Sequence, residues 1–484
     1  MSPPAPRHPP HQGHKSVDSL VRVSHSDALR LLFACSGDKL IPHFRNCAMA
    51  AWLAVFPAQA LAAPEVRISD SVILVPDPQA RSVTFWLIVH AGCADEAGGQ
   101  CLGISHYLEH LLFLGRSTDH PEKSIAFFRD GAGNGSTTYQ STSYWQRFPA
   151  RPGGQSEDLE KLFRFYTERL QGFEVGEAEA ERERNIVLQE YNWRIASSAD
   201  ARFYVKLNRA MLPDDPQGQN IAGSPEIISG YSVAAARAFH QSWYARNNAT
   251  IVVHGPVDEA LVKALADRYV APLPFKKLPD RAWRQTLRSY EEAALDVRVS
   301  DAEARGVDMV TEKMVRIEES DRARMGAARL VLSSFLSGRF DGAPHDVLVE
   351  QGGLTSGIDY IGVSSVGPGA LRASFSAKPA AGVTPEKLGG AFWSYIGALA
   401  RTGLPQGMVE RLKKRIAEDR VIAAREPERV MGGLTQWLTG GQSYADYQAR
   451  TEALASVTDA DVTAILKAFA GPGRRVNGVL SPPS

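Results

Sequence analysis

Cysteine is scarce, with four in 484 residues. That excludes a small scaffold held together by many disulfides. Net charge is absent as well, because 54 Lys and Arg balance 54 Asp and Glu. A dedicated nucleic-acid binder carries a basic excess, so no nucleic-acid partner is expected. No apolar run reaches the roughly 18 residues of a membrane span, so none is expected in the mature chain. Histidine is rare too, with 12 residues, which makes a close pair of histidines informative. What is present is globular composition, 44% hydrophobic and 22% charged, and enough length for two or three domains.

The charge balance is uneven along the chain. Residues 1–62 hold six Lys/Arg, three Asp/Glu and five of the histidines, leaving 48 basic and 51 acidic residues beyond them. Arg45 precedes the apolar stretch Cys47–Phe56, and Ala60-Leu61-Ala62 follows. A positive flank, a short apolar core and a small-residue site make an export signal, expected to be cleaved near Ala62. The chain is therefore expected to be a bacterial periplasmic protein. The histidines His8, His11 and His14 fall in the same Pro-rich leader and are set aside.

Periodicity predicts a mixed α+β organisation. Strands are expected at Val66–Pro76, Arg81–His90, Ala249–His254 and Ala370–Ala377, with a strand pair in Gly131–Phe148. Helices are expected near Gly103–Phe113, Ser124–Asp130, Glu157–Phe173, Glu177–Ala199, Val233–Tyr244 and Val257–Tyr269. Further helices are expected at Gly326–Leu336, Pro385–Thr402, Met408–Arg425 and Asp459–Ala470. The proline-rich run from Ala271 to Asp280 marks a break. The expected division is a leader over 1–62, a first domain over 63–275, a linker over 276–295 and a second domain over 296–484. Two halves of similar mixed content suggest two α+β domains.

The chemistry is concentrated in Gly103-Ile-Ser-His-Tyr-Leu-Glu-His-Leu-Leu112. On a helix, His106 and His110 lie one turn apart on one face and can bind one Zn²⁺. Glu109, three residues after His106, projects beside the same ion and can take a proton from an activated water. A catalytic zinc needs a third protein ligand. The helix from Glu177 to Tyr191 offers Glu183 and Glu190, two turns apart on one face. One can bind the metal while the other orients a histidine. The glycines Gly131, Gly133 and Gly135 have the wrong spacing for a nucleotide-binding loop.

Four segments in order then resemble the pitrilysin family of zinc metallopeptidases. They are His106-Tyr-Leu-Glu-His110 with Leu-Leu-Phe-Leu-Gly115, Gly131-Ala-Gly-Asn-Gly-Ser-Thr-Thr-Tyr139 through Tyr144, Glu181–Glu190, and Phe239–Gly255. The resemblance covers residues 65 to about 270. It implies two homologous domains of the family's type (each a sheet covered by helices), a Zn²⁺ cofactor bound by His106, His110 and Glu190, and Glu109 as general base. It makes Glu183 the carboxylate behind the ligands. It places Asn134 and Tyr144 at the substrate, on an edge strand that takes a peptide by strand addition. The implied activity is zinc-dependent endoproteolysis of unstructured peptides.

One departure qualifies this. Family members carry an Arg and a Tyr seven apart that contact substrate, and here Val349 and Ser356 occupy those positions. The expectation is a heterodimer whose homologous subunit supplies the pair, or else a homodimer. The rival expectation is a non-catalytic scaffold subunit of a peptidase complex. Metal storage or sensing would not need Glu109. Cys93 and Cys101, eight apart before the metal helix, form a disulfide in an exported protein or remain two buried thiols.

Overall fold

The structure, a computed structural model, describes residues 65–114, 132–151, 155–281, 291–317, 321–367 and 369–483. The leader with Cys35 and Cys47, the helix expected at Ser124–Asp130, and residues 282–290 of the expected linker lie outside them. The described residues belong to one compact unit.

The first half runs β1 (Val66–Ser69), β2 (Val72–Pro76), β3 (Ser82–Val89), α1 (Ile104–Leu114), β4 (Ala132–Thr137) and β5 (Thr142–Pro149). It continues with α2 (Gln155–Gln171), α3 (Glu177–Tyr191), α4 (Ala199–Met211), α5 (Pro225–Ser229), α6 (Val233–Trp243), β6 (Ala249–Gly255) and α7 (Glu259–Leu265). The second half runs β7 (Ala293–Ser300), β8 (Asp308–Arg316), α8 (Arg322–Leu336), β9 (Thr355–Gly367) and β10 (Ala370–Pro379). Then follow α9 (Pro385–Thr402), α10 (Met408–Ala424), α11 (Pro427–Thr439), α12 (Tyr444–Ala453), α13 (Asp459–Ala470) and β11 (Arg474–Ser481).

The two halves repeat one plan. The sheets order as β1-β2-β6-β3-β5-β4 and β7-β11-β8-β10-β9. Apart from β1 each strand of the first has a counterpart in the second. The single parallel pairs, β2 with β6 and β11 with β7, match as well. By order along the chain, α1 corresponds to α8, α3 to α10 and α4 to α11. This is the pair of α+β domains that the sequence pattern anticipates, in the helix-covered form that the family resemblance implies.

Each half lends the other a helix. Strand side chains alternate between faces, so Leu74, Phe85 and Val253 pack under the first half's own helices. Ile73, Val75, Ile88 and Val252 face the opposite side, where Val430, Met431, Leu434 and Leu438 of α11 cover them. Reciprocally, Phe203, Leu207 and Met211 of α4 cover Val310, Met314, Val476 and Leu480 of the second sheet. Each loan buries apolar residues spaced i, i+4, i+8, the stripe of an amphipathic helix.

Three boundaries differ from the sequence expectation. The strand expected over Val66–Pro76 is a hairpin, because Asp70 and Ser71 turn the chain between β1 and β2. The helix expected over Glu177–Ala199 ends at Tyr191, loosens into a π-turn over Asn192–Ala196, and restarts as α4 capped by Ser198. β7 opens at Ala293, inside the stretch expected as linker.

Candidate metal centre

Helix α1 starts where the chain is tightly held. Glu96, buried at 4% exposure, accepts hydrogen bonds from the Leu102 N–H (2.7 Å), the Ser105 N–H (2.8 Å) and the Ser105 hydroxyl (2.7 Å). These bonds occupy orphan donors of the first turn. Burial pushes the Glu96 carboxyl up to about 7 against the lowering pull of those same bonds. Gly103 has φ +77°, and a Cβ there would meet the Tyr231 hydroxyl at 1.9 Å, so only glycine fits. Cys93 and Cys101 are joined by a disulfide, which closes the loop that carries Glu96. Replacing both cysteines by serine is expected to lower stability by about 2–3 kcal/mol. Denaturant unfolding of the variant and the oxidised parent checks this.

On α1 the side chains of His106 and His110 face α3. The Glu190 Oε2 atom lies 3.4 Å from His106 Nε2 and 3.5 Å from His110 Nε2. One donor atom from each of the three falls within 4.8 Å of the others. Bonds of 2.0–2.2 Å in a tetrahedron set ligand atoms about 3.3–3.6 Å apart, so the spacing suits one zinc ion. The donor set of two imidazoles and a carboxylate suits it too. Glu190 Oε2 is buried and has no hydrogen-bond partner, as a ligand atom awaiting a cation should be. Burial pushes the Glu190 carboxyl up, but the His106 and His110 imidazoles together outweigh it and hold it well below the usual carboxylate range. Its other oxygen meets Arg194 at 2.5 Å.

His110 is oriented from behind. Its Nδ1 lies 3.3 Å from Glu183 Oε2, which fixes that nitrogen as an N–H and aims Nε2 at the point where His106 and Glu190 converge. Burial lowers the imidazole's proton affinity, but Glu183, Glu190 and Glu109 together raise its pKa to about 9.

Glu109 is buried between α1 and β4. The Thr137 hydroxyl donates to its Oε2 at 2.6 Å. Burial raises its pKa, with His106, Thr137 and His110 pulling the other way, so it is a stronger base than an ordinary carboxylate. Gly135, two residues before Thr137 on the same strand face, leaves room for it. A Cβ at Gly135 would stand 2.6 Å from Glu109 Oε1 and 2.8 Å from Phe113. Gly135→Ala is therefore expected to displace the carboxylate and lower kcat about a hundredfold, with the melting temperature little changed. Steady-state kinetics beside a melting curve tests this.

β4 is the end strand of its sheet, and Asn134 is exposed on it. The turn into β5 is held by the second half: the Thr138 and Ser141 hydroxyls both donate to the Thr439 carbonyl at the end of α11. Tyr144 does not reach this open face. It is 2% exposed, and its hydroxyl shares a 2.8 Å hydrogen bond with Tyr244, so it supports Phe113 from beneath. From the sequence, Thr137 has no role of its own, and Gly135 is only one glycine of a loop with the wrong spacing for nucleotides. Strand alternation within the Gly131–Tyr139 segment puts the two on one face, and packing against α1 makes that face the Glu109 side.

Known proteins resemble this chain in sequence and fold. The family model described as Insulinase (Peptidase family M16) matches residues 71–224. The one described as Peptidase M16 inactive domain matches residues 231–416. The probable zinc protease PqqL of Escherichia coli is 28% identical over 214 residues, 42% of this chain and 22% of that protein. The chain thus matches under half the length of such relatives. A solved protease from Helicobacter pylori superposes with a TM-score of 0.67 at 18% identity, covering 86% of this chain and 99% of that one. Pitrilysin superposes with a TM-score of 0.65 at 20% identity, covering 85% and 43%. The chain belongs to the M16, or pitrilysin, family of metallopeptidases.

Proposed function

We propose that this chain is a zinc endopeptidase that cuts unstructured peptides. The observation that carries the reading is the convergence of His106 Nε2, His110 Nε2 and Glu190 Oε2 beside the buried base Glu109. A zinc ion on those atoms would supply Lewis acidity, lowering the pKa of water and polarising the scissile carbonyl. Glu109 takes the proton of the attacking water and hands it to the leaving amine. Glu183 holds His110 in the tautomer that leaves Nε2 free. The open edge of β4, with Asn134, pairs with the extended main chain of the substrate, which selects unfolded segments over particular side chains.

The substrate clamp comes from a second chain. Val349 and Ser356 offer neither guanidinium nor phenol, so a homologous subunit, or a second copy of this chain, supplies an Arg/Tyr pair and encloses the peptide. The place of work is the periplasm. The leader's pattern and the Cys93–Cys101 disulfide favour it, and a structurally similar Escherichia coli protein, PqqL, is itself a periplasmic protease. No helix among the described residues is long and apolar enough to cross a membrane.

The test is metal content and hydrolysis of an unstructured fluorogenic peptide, with and without the homologous partner. One zinc per chain and activity that rises sharply on mixing are expected. Full activity of the isolated chain removes the partner, and a zinc-loaded but inert mixture leaves the scaffold reading.

A further inference from the structure

The second half answers the metal centre with positive charge. α8 and α10 correspond to the metal-bearing α1 and α3, and they carry Arg329 and Arg420; α12, packed on α8, adds Arg450. The Arg450 stem crosses α8 at Gly326, where a Cβ would lie 3.7 Å away. Its guanidinium stacks on Trp437, 3.9 Å from the ring centroid, and its Nε is buried without a hydrogen-bond partner. Arg420 Nη1 donates to the Thr451 carbonyl, the residue next to Arg450, at 3.1 Å. Arg329 Nη1 donates to the Val363 carbonyl of β9 at 2.7 Å.

No described carboxylate pairs with any of the three guanidiniums. The neighbours that bear on them electrostatically are each other and the phenols of Tyr447 and Tyr360. Burial first, then Arg329 and Arg420, push Arg450 down to about 10, which still leaves it protonated at neutral pH. Three like charges held half-buried repel one another, and a compact anion relieves that cost. Elsewhere in the same half, the partly buried Arg324 and Arg372 do meet carboxylates, Asp461 and Glu312 respectively.

We infer that Arg329, Arg420 and Arg450 form a carboxylate-binding site that holds the C-terminal carboxylate of a peptide. Planar guanidiniums take a carboxylate through paired N–H···O bonds. The site adjoins β9, the end strand of the second sheet, where an extended chain can lie. Trp437, Tyr447 and Tyr360 give the terminal residue aromatic surface. The choice of a peptide as the carrier rests on the peptidase reading, whereas the anion site does not need the metal.

The experiment uses the full-length Glu109→Gln protein, so that no peptide is consumed. An N-terminally labelled unstructured peptide is compared as free acid and as C-terminal amide by fluorescence anisotropy. The free acid is expected to bind about tenfold tighter or more. Arg450→Gln, and separately Arg420→Gln, are expected to erase the difference while leaving affinity for the amide unchanged. Equal affinity of acid and amide for the parent protein overturns the proposal, and that comparison needs no folded arginine variant. A preference that survives in both arginine variants also overturns it. So does stabilisation by inorganic phosphate with no acid-over-amide preference, which makes this a phosphate site. Hydrolysis by the zinc-loaded wild type is read separately, so an acid preference without turnover upholds this site and removes only the peptidase reading.

Discussion

Glu109→Gln is expected to keep its zinc and lose peptide hydrolysis by about a hundredfold to ten-thousandfold, the range a positioned general base contributes. Gln is nearly isosteric with Glu, so the space that Gly135 leaves is still filled. The amide oxygen can still accept the 2.6 Å bond from the Thr137 hydroxyl. What disappears is the ability to take a proton. The metal should stay, because the converging donor atoms belong to His106, His110 and Glu190 and not to Glu109. Folding should not suffer, since burial disfavours the charged carboxylate that the amide replaces. Metal analysis and turnover on one preparation decide the matter. Activity within tenfold of wild type sinks the base role, and loss of zinc together with activity makes Glu109 a ligand instead.

The second large effect separates the two glutamates of α3. Glu190→Ala removes the one carboxylate among the described residues that reaches both imidazole Nε2 atoms, and zinc affinity is expected to fall by more than about a hundredfold. Glu183→Ala removes only the acceptor behind His110, and the expected loss is about 10- to 100-fold, the usual cost of an outer partner. Competition with a zinc chelator of known affinity measures both. The order matters more than the size. If Glu183→Ala costs more than Glu190→Ala, the assignment of ligand and supporting residue is reversed.

The candidate metal centre is largely legible in the sequence because it is built from helix geometry. His106, Glu109 and His110 share a face by spacing alone, and Glu183 and Glu190 follow the same rule two turns apart. Family resemblance then separates ligand from support. Strand neighbours are harder, since Thr137 and Gly135 matter through register with α1, a long-range relation that no local pattern encodes. The segment around Tyr144 points to the substrate, but the pleat turns that side chain inward to Tyr244. Helix α4 is hard to see because Ala199–Met211 reads as a polar stretch with one narrow stripe of Phe203, Leu207 and Met211. The stripe serves the sheet of the other half. The charged run before it hides the break at Ser197 and Ser198, where the hydrogen-bond ladder widens and restarts.

The reciprocal loan of α4 and α11 has a consequence for synthesis. As the chain leaves the ribosome, the first sheet can assemble once β6 has emerged, yet the face formed by Ile73, Val75, Ile88 and Val252 stays bare until residues 430–438 appear. Meanwhile α4 waits, its Phe203 and Leu207 uncovered, for strands that end at Ser481. Neither half can complete its burial alone, so a nascent or truncated chain presents a sticky apolar sheet face to its surroundings. Export before folding, with both halves released together, would spare the chain that exposure.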